Sequence, residues 1–265
     1  MRLLLKPFHW LYVIYAFALF VALMVPVFIW SLIVLSFGKI RGGNLIYYGC
    51  VLWADVWFAL IFIRHKNIYI QKPSEHESYI FVANHISYLD AALIPKAFRK
   101  PIRPLGKVEM AKIPLFGTIY KNVIVMVDRS SAANRARSVQ QLKSVLRKEI
   151  SVLVFPEGTF NMTGGPLKEF YDGAFRIAIE TGTPVKPVLF LDMYNRMNYR
   201  SLLSLSPGKS RAVFLPEVSV EGLTAEDVVM LREKIYAMME EELVRRGASW
   251  IDGRIGDGST ARGSA

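Results

Sequence analysis

Tyr79-Ile80-Phe81-Val82-Ala83-Asn84-His85-Ile86-Ser87-Tyr88-Leu89-Asp90 opens as an unbroken apolar run and turns polar within a few residues. The run has the length and the aromatic and branched content of a buried strand. The next segment, from Tyr88 to Phe98, reads as a helix. Downstream, Val123–Val127, Val152–Phe155, Val185–Phe190 and Ala212–Leu215 repeat the strand pattern. Ala132–Glu149, Gly173–Glu180 and Ala225–Arg246 read as the helices between and after them. Alternation of this kind predicts an α/β fold, a mixed central sheet flanked by helices. Thr224 and Asp227 form a capping pattern before the last helix, whose Val228, Leu231, Ile235, Met238 and Leu243 have the spacing of a core face. No internal repeat is visible.

Upstream of this region the chain changes character. Over its 265 residues the hydrophobic share is 52%, and the excess is concentrated before residue 64. No charged residue occurs from Trp10 to Phe37, which as a helix would exceed the ~30 Å hydrocarbon core of a bilayer. Pro26 predicts a kink or break within it. A second apolar stretch, Leu45–Ile63, is interrupted by Asp55. Either it spans with Asp55 facing protein, or it lies in the interface or re-enters one leaflet. The preferred expectation is a membrane hairpin of two helices. Trp10, Trp30, Trp53 and Trp57 are read either as interfacial anchors or as packing residues. The expected organisation is therefore a membrane-associated helical segment over 1–72, a catalytic domain over 73–246 and a disordered tail over 247–265.

The formal net charge is +11. Without a zinc-finger, helix-turn-helix or RNP pattern, nucleic acid is set aside, and an anionic membrane surface or anionic substrate remains. The single cysteine, Cys50, excludes an internal disulfide and lies among apolar residues, where a thiol is inert. Gly208-Lys209-Ser210 resembles the end of a phosphate-binding loop, but its first glycine is replaced by Leu203.

His85 falls at the carboxyl end of a buried strand, where α/β proteins build their sites, and Asp90 comes within about a helical turn of it. A turn between them lets the carboxylate fix the imidazole tautomer while the other ring nitrogen takes a proton from a hydroxyl. Taken alone the pair equally fits a structural histidine ahead of a helix start. Phe155-Pro156-Glu157-Gly158-Thr159-Phe160 comes after a second buried strand. There Gly158 permits a tight turn and Glu157 can orient a hydroxyl or a cation, or lie in solvent.

Together these blocks resemble the glycerolipid acyltransferases, specifically the 1-acylglycerol-3-phosphate acyltransferase family, over roughly 73–191. His85 and Asp90 match that family's first block, with four residues between them. Gly117 and Arg129 match the second, Phe155 to Thr159 the third, and the apolar strand around Pro187 the fourth. The resemblance implies direct transfer of a fatty-acyl group from acyl-CoA or acyl-ACP (acyl carrier protein) to the sn-2 hydroxyl of lysophosphatidic acid, in phospholipid biosynthesis. His85 would be the base, with Asp90 and Glu157 in the catalytic set. Asn84, Ser87, Lys107, Gly117, Arg129, Phe155, Pro156, Gly158 and Thr159 would lie on the substrate side. No acyl-enzyme, metal or cofactor is expected, and no Gly-x-Ser-x-Gly elbow is present. The expected location is the bacterial inner membrane, with the catalytic domain on the cytoplasmic side and a lysophospholipid acceptor drawn from the bilayer.

One departure stands out. The family's third block continues with an arginine associated with the acceptor phosphate, and this chain has Phe160; a later family lysine is replaced by Asp172. A phenylalanine offers phosphate no grip. Lys107, Arg129, Lys112 and Lys168 are the cations left to serve. A different lysophospholipid or a lyso-aminolipid stays open as acceptor. The non-transferase alternatives are a lipid ester or thioester hydrolase and a non-catalytic lipid-binding protein.

Overall fold

A computed structural model of the protein describes residues 6–128 and 130–251. In chain order the elements are α1 (Lys6–Val34), α2 (Lys39–Leu60), β1 (Ile63–Tyr69), β2 (Ile80–Ala83), α3 (Asp90–Ala97), β3 (Arg103–Lys107), α4 (Phe116–Val123), β4 (Val125–Val127), α5 (Ala132–Leu146), β5 (Val152–Val154), α6 (Gly173–Thr181), β6 (Val185–Phe190), α7 (Met193–Arg196), β7 (Gly208–Phe214) and α8 (Val228–Arg245). The seven strands form a sheet in the order β1-β7-β6-β2-β5-β3-β4. All neighbours are parallel except β6 and β7, so the expected mixed sheet is present. Its centre is apolar because β2, β5 and β6 are buried at every residue. The helices flank it in two packed groups, α1 to α4 in one and α5, α6 and α8 in the other.

The sheet extends upstream of the expected boundary at residue 72. β1 lies upstream of it and pairs with β7 along its whole length, from Ile63↔Gly208 to Tyr69↔Phe214. An edge strand needs little apolar surface, so Arg64, His65, Lys66 and Asn67 concealed β1 in the sequence. Pro104 and Gly106 concealed β3 in the same way, and both lie near the sheet's other edge. Of the stretch Val123–Val127, expected as one strand, Val123 ends α4 and Val125–Val127 form the whole of β4. The capping box at Thr224 and Asp227 is formed.

The N-terminal helices also differ from expectation. α1 runs through Pro26 without interruption. Among the described residues only the segment Pro7–Phe37 is long and apolar enough to cross a membrane. α2 does not pass that test; it packs on α3 and α4, and Asp55 is paired with Lys96 at 2.6 Å and Arg99 at 2.8 Å. A carboxylate that looked costly in hydrocarbon is instead neutralised by the α/β body. The tryptophans divide. Trp53 and Trp57 are buried, stacked at 5.4 Å, and donate to the α1 carbonyls of Phe20 and Ala16. Trp10 and Trp30 are exposed. Of the tail beginning at residue 247, residues 252–265 lie outside the described residues.

Candidate active site

β2 and β5 are parallel neighbours in the register Ile80↔Val152, Phe81↔Leu153, Val82↔Val154. Their exits, residues 84–90 and 155–161, therefore leave the sheet side by side at its carboxyl edge. Two hydrogen bonds stitch these exits together around His85: its N–H donates to Glu157 Oε1 at 2.8 Å, and its carbonyl accepts from Asn161 N at 2.8 Å.

Asp90 is buried, and its Oδ2 faces His85 Nδ1 at 2.8 Å. The same oxygen accepts from the Ile86 and Ser87 N–H groups at 2.8 and 2.9 Å. Ser87 Oγ in turn accepts from Leu89 N at 2.9 Å, which tightens the turn ahead of α3. The physics of a helix start thus fixes the carboxylate. With Asp90 accepting from Nδ1–H, Nε2 is left as a proton acceptor. The His85 side chain is 23% exposed, so the ring is not sealed inside the protein. Phe155 stacks on the imidazole with centroids 4.1 Å apart and planes at 16°. Phe160 lies 4.4 Å away on a tilt, with Tyr88 edge-on to Phe160 at 4.9 Å.

Glu157, expected in the catalytic set, is held by the backbone of both loops. It is buried, and its oxygens are occupied by the backbone N–H groups of His85 and Lys168, each at 2.8 Å. It braces the two loops. Burial pushes its carboxyl up to about 7, against the two backbone donors, which favour the ionised form.

Among the residues expected on the substrate side, several are placed by their contacts within the protein. Asn84 is buried and exchanges two hydrogen bonds with the Phe190 backbone, tying the exit of β2 to the end of β6. The buried hydroxyl of Ser87 donates to the Met197 carbonyl. Gly117 is buried, and a Cβ there would lie 2.3 Å from the Ala111 carbonyl oxygen. Pro156 is buried, its carbonyl accepting from Tyr171 N at 2.9 Å. Gly158 takes the turn at φ 69°. Thr159 is exposed, with Lys168 Nζ donating to its Oγ1 at 3.0 Å, which brings one cation to the mouth of the site. Lys107 is exposed at the carboxyl end of β3. Arg129 lies outside the described residues.

Sequence reasoning missed the cavity beside this site. A space of about 330 Å³ opens between α1 and α2 on one side and α3 and α4 on the other, reaching Tyr88 and Leu89 of the His85 loop. Among its lining residues, Tyr47, Tyr120, Trp53 and Trp57 turn their polar atoms to the backbone carbonyls of Phe98, Lys107, Phe20 and Ala16. Polar atoms bonded away from the void leave walls suited to hydrocarbon. Cys50 lies in the wall, where burial pushes its thiol up to about 12, far from a thiolate at neutral pH. The aromatic residues of α1 and α2 that build the cavity read in the sequence only as membrane helix.

A histidine held by a buried carboxylate, close to a hydrocarbon-lined cavity, suits an enzyme that moves acyl chains, and the acyltransferase family model matches residues 64–191. The 1-acyl-sn-glycerol-3-phosphate acyltransferase of Salmonella typhimurium is 31% identical over 181 residues, 65% of this chain and 71% of the relative. That of Cocos nucifera is 28% identical over 236 residues, 85% of this chain and 73% of the relative. The crystal structure of the 1-acyl-sn-glycerophosphate (LPA) acyltransferase PlsC from Thermotoga maritima superposes with a TM-score of 0.71 at 21% identity, covering 95% of this chain and 100% of that one, and shows that the fold is shared. The protein is therefore an acyltransferase, and the chain belongs to the 1-acyl-sn-glycerol-3-phosphate acyltransferase family.

Proposed function

We propose that the enzyme transfers a fatty-acyl group from acyl-CoA or acyl carrier protein to the sn-2 hydroxyl of lysophosphatidic acid, giving phosphatidic acid for phospholipid synthesis. The observation that carries the reading is the His85–Asp90 contact at 2.8 Å, in a partly exposed loop whose Tyr88 and Leu89 line the apolar cavity. His85 Nε2 takes the hydroxyl proton as the hydroxyl oxygen attacks the thioester carbonyl carbon. The C–S bond then breaks, and the thiolate leaves with the proton returned by the imidazolium. Asp90 stabilises that imidazolium. The cavity receives the acyl chain. Lys168 and Lys107 hold the acceptor phosphate, with Arg129 a further cation for it.

α1 presents exposed apolar side chains, among them Phe8, Leu11, Ile14, Ile29 and Ile33, along most of its length, while its other side packs on α2 and α4. On this reading α1 lies along one leaflet, at the cytoplasmic face of a bacterial inner membrane, so the acceptor enters from the bilayer and the donor from water.

Phe160 favours a second acceptor reading. Its ring walls His85 where a cation is absent, which suits a lysolipid whose head group carries less negative charge, including a lyso-aminolipid. The test incubates purified enzyme with acyl-CoA or acyl carrier protein and a panel of lysolipids, following thiol release and product lipid. Preference for lysophosphatidic acid, an acceptor KM that rises on Lys168→Ala or Lys107→Ala, and silence of His85→Ala are expected. Faster turnover on another head group moves the acceptor to the second reading. Turnover that persists in His85→Ala refutes the mechanism.

A further inference from the structure

β1 and β7 form the far edge of the sheet, well removed in strand order from His85. Side chains two apart on a strand share a face, and directly paired residues of neighbouring strands share it too. On one face of this pair His65 meets Ser210 at 2.9 Å and Asn67 donates to the Ala97 carbonyl at 2.8 Å, so that face is covered by the end of α3. The other face carries Arg64 opposite Lys209 and Lys66 opposite Arg211, a block of four cations. Like charges directly opposed across a ladder repel and are ordinarily avoided. Arg211 is neutralised by two hydrogen bonds to Asp192 at 2.8 Å. Arg64, Lys66 and Lys209 are exposed, and no described carboxylate is ion-paired to any of them.

The block adjoins an apolar rim. Phe62, 66% exposed, immediately precedes β1, and its carbonyl accepts from Gly208 N at 3.0 Å just before Lys209. Tyr12 of α1 donates to the Ile61 carbonyl at 2.8 Å, and His9 bonds the Leu203 carbonyl at 2.8 Å. The N-terminal end of α1, with exposed Phe8 and Leu11, therefore meets exposed Phe62, Leu202 and Leu203 beside the three unpaired cations. An apolar strip bordered by unneutralised cations has the composition of a surface that seats in the acyl region of a bilayer and places its charges at the phosphate level.

We propose that Arg64, Lys66 and Lys209 form a binding surface for the head groups of anionic phospholipids, and that it orients the enzyme on the leaflet at the end where α1 begins. The proposal rests on the reading of α1 as an interfacial helix and adds to it a lipid preference. A membrane is favoured over an acidic protein because the cations border exposed apolar side chains, which an anionic bilayer accommodates together with the charge. Each cation near an anionic surface contributes about 1 kcal/mol, a contribution that salt screens within ~8 Å at physiological ionic strength.

The test is flotation of the full-length protein with phosphatidylcholine vesicles and with vesicles containing phosphatidylglycerol, at low and high salt. The variants are Arg64→Gln/Lys66→Gln/Lys209→Gln and, with the same loss of charge elsewhere, Lys148→Gln/Arg176→Gln/Lys234→Gln. Wild type and the control variant should bind the anionic vesicles more tightly by about ten- to a hundredfold, an advantage lost in high salt. The Arg64/Lys66/Lys209 variant should bind both vesicles as wild type binds phosphatidylcholine, with acyltransfer from acyl-CoA in detergent unchanged. An equal loss in both variants would reduce the effect to net charge and overturn the proposal. So would unchanged vesicle binding accompanied by a loss of turnover only with acyl carrier protein, which would make the block a protein-docking surface. Failure of wild type to bind either vesicle would instead refute the interfacial reading of α1, whereas equal binding to both refutes the lipid preference alone.

Discussion

Asp90 Oδ2 carries three hydrogen bonds, from the His85 ring and from the Ile86 and Ser87 backbone, and this concentration of donors defines what the residue can tolerate. An amide oxygen in that place still accepts all three, but the negative charge that stabilises the imidazolium is lost, and the amide NH2 fills the buried Oδ1 position, which has no partner among the described residues. Asp90→Asn should lower kcat by about 10²–10⁴ with a much smaller effect on KM, read from thiol release. Equal losses in kcat and folded protein would make Asp90 merely structural. Glu157 gives a pH signature. Its folded pKa is raised from 4.5 to about 7, so the folded state holds a proton there that the unfolded state has released. The cost of ionising it is absent below about 4.5, grows as pH rises, and is complete above about 7. Melting temperatures of wild type should therefore fall relative to Glu157→Gln across that window. A difference that does not change with pH would contradict the assignment. Phe160→Arg should lower the KM for lysophosphatidic acid by about tenfold and leave that for an uncharged head group unimproved. A uniform shift across the panel would remove Phe160 from head-group selection.

At the scale of elements, helix ends and strand exits do the positioning. The Asp90 carboxylate is held by the backbone N–H groups of Ile86 and Ser87, neighbours close enough in the chain for a local pattern to carry. The placement of α2 is not carried by such a pattern. Its Asp55 finds Lys96 and Arg99 some forty positions away, and nothing in the apolar pattern of 45–63 announces those partners. Hydrophobic periodicity reports that a helix is covered, and a lipid tail and a protein core cover it alike. Asp55→Asn should cost about 1–2 kcal/mol, or roughly 2–8 °C in Tm, with the Arg99 share discounted for its exposure. Thermal melts in detergent would measure it. An unchanged Tm would mean that the α2–α3 junction is held by packing alone. β1 escaped recognition for a related reason: an edge strand partnered on one side satisfies its backbone in the ladder and can carry charge on its open face.

For the molecule as a whole, the order β6-β2-β5-β3-β4 brings the exits of β2 and β5 together and leaves the end of β3 on the same edge, so blocks far apart in sequence share one rim. The cavity is also a property of the whole molecule, since it exists only where α1 and α2 close over α3 and α4. Ala92 is buried on its wall, and Ala92→Phe should fill part of it. The expected outcome is about a tenfold loss of kcat/KM for long-chain acyl donors with short-chain donors spared, measured over a series of chain lengths. A loss independent of chain length would detach the cavity from the acyl group.

The sequence alone determined the α/β class, the candidate base at His85, the carboxylate at Asp90 and the family, because these rest on local patterns: buried runs, a helix cap, short ordered motifs. Only the tertiary structure decided that Glu157, Asn84 and Ser87 are braces, that α2 belongs to the catalytic body, and that aromatic helices enclose a cavity. Each of those depends on which distant group meets a side chain, and burial and pairing between residues far apart in the chain leave no period in the sequence.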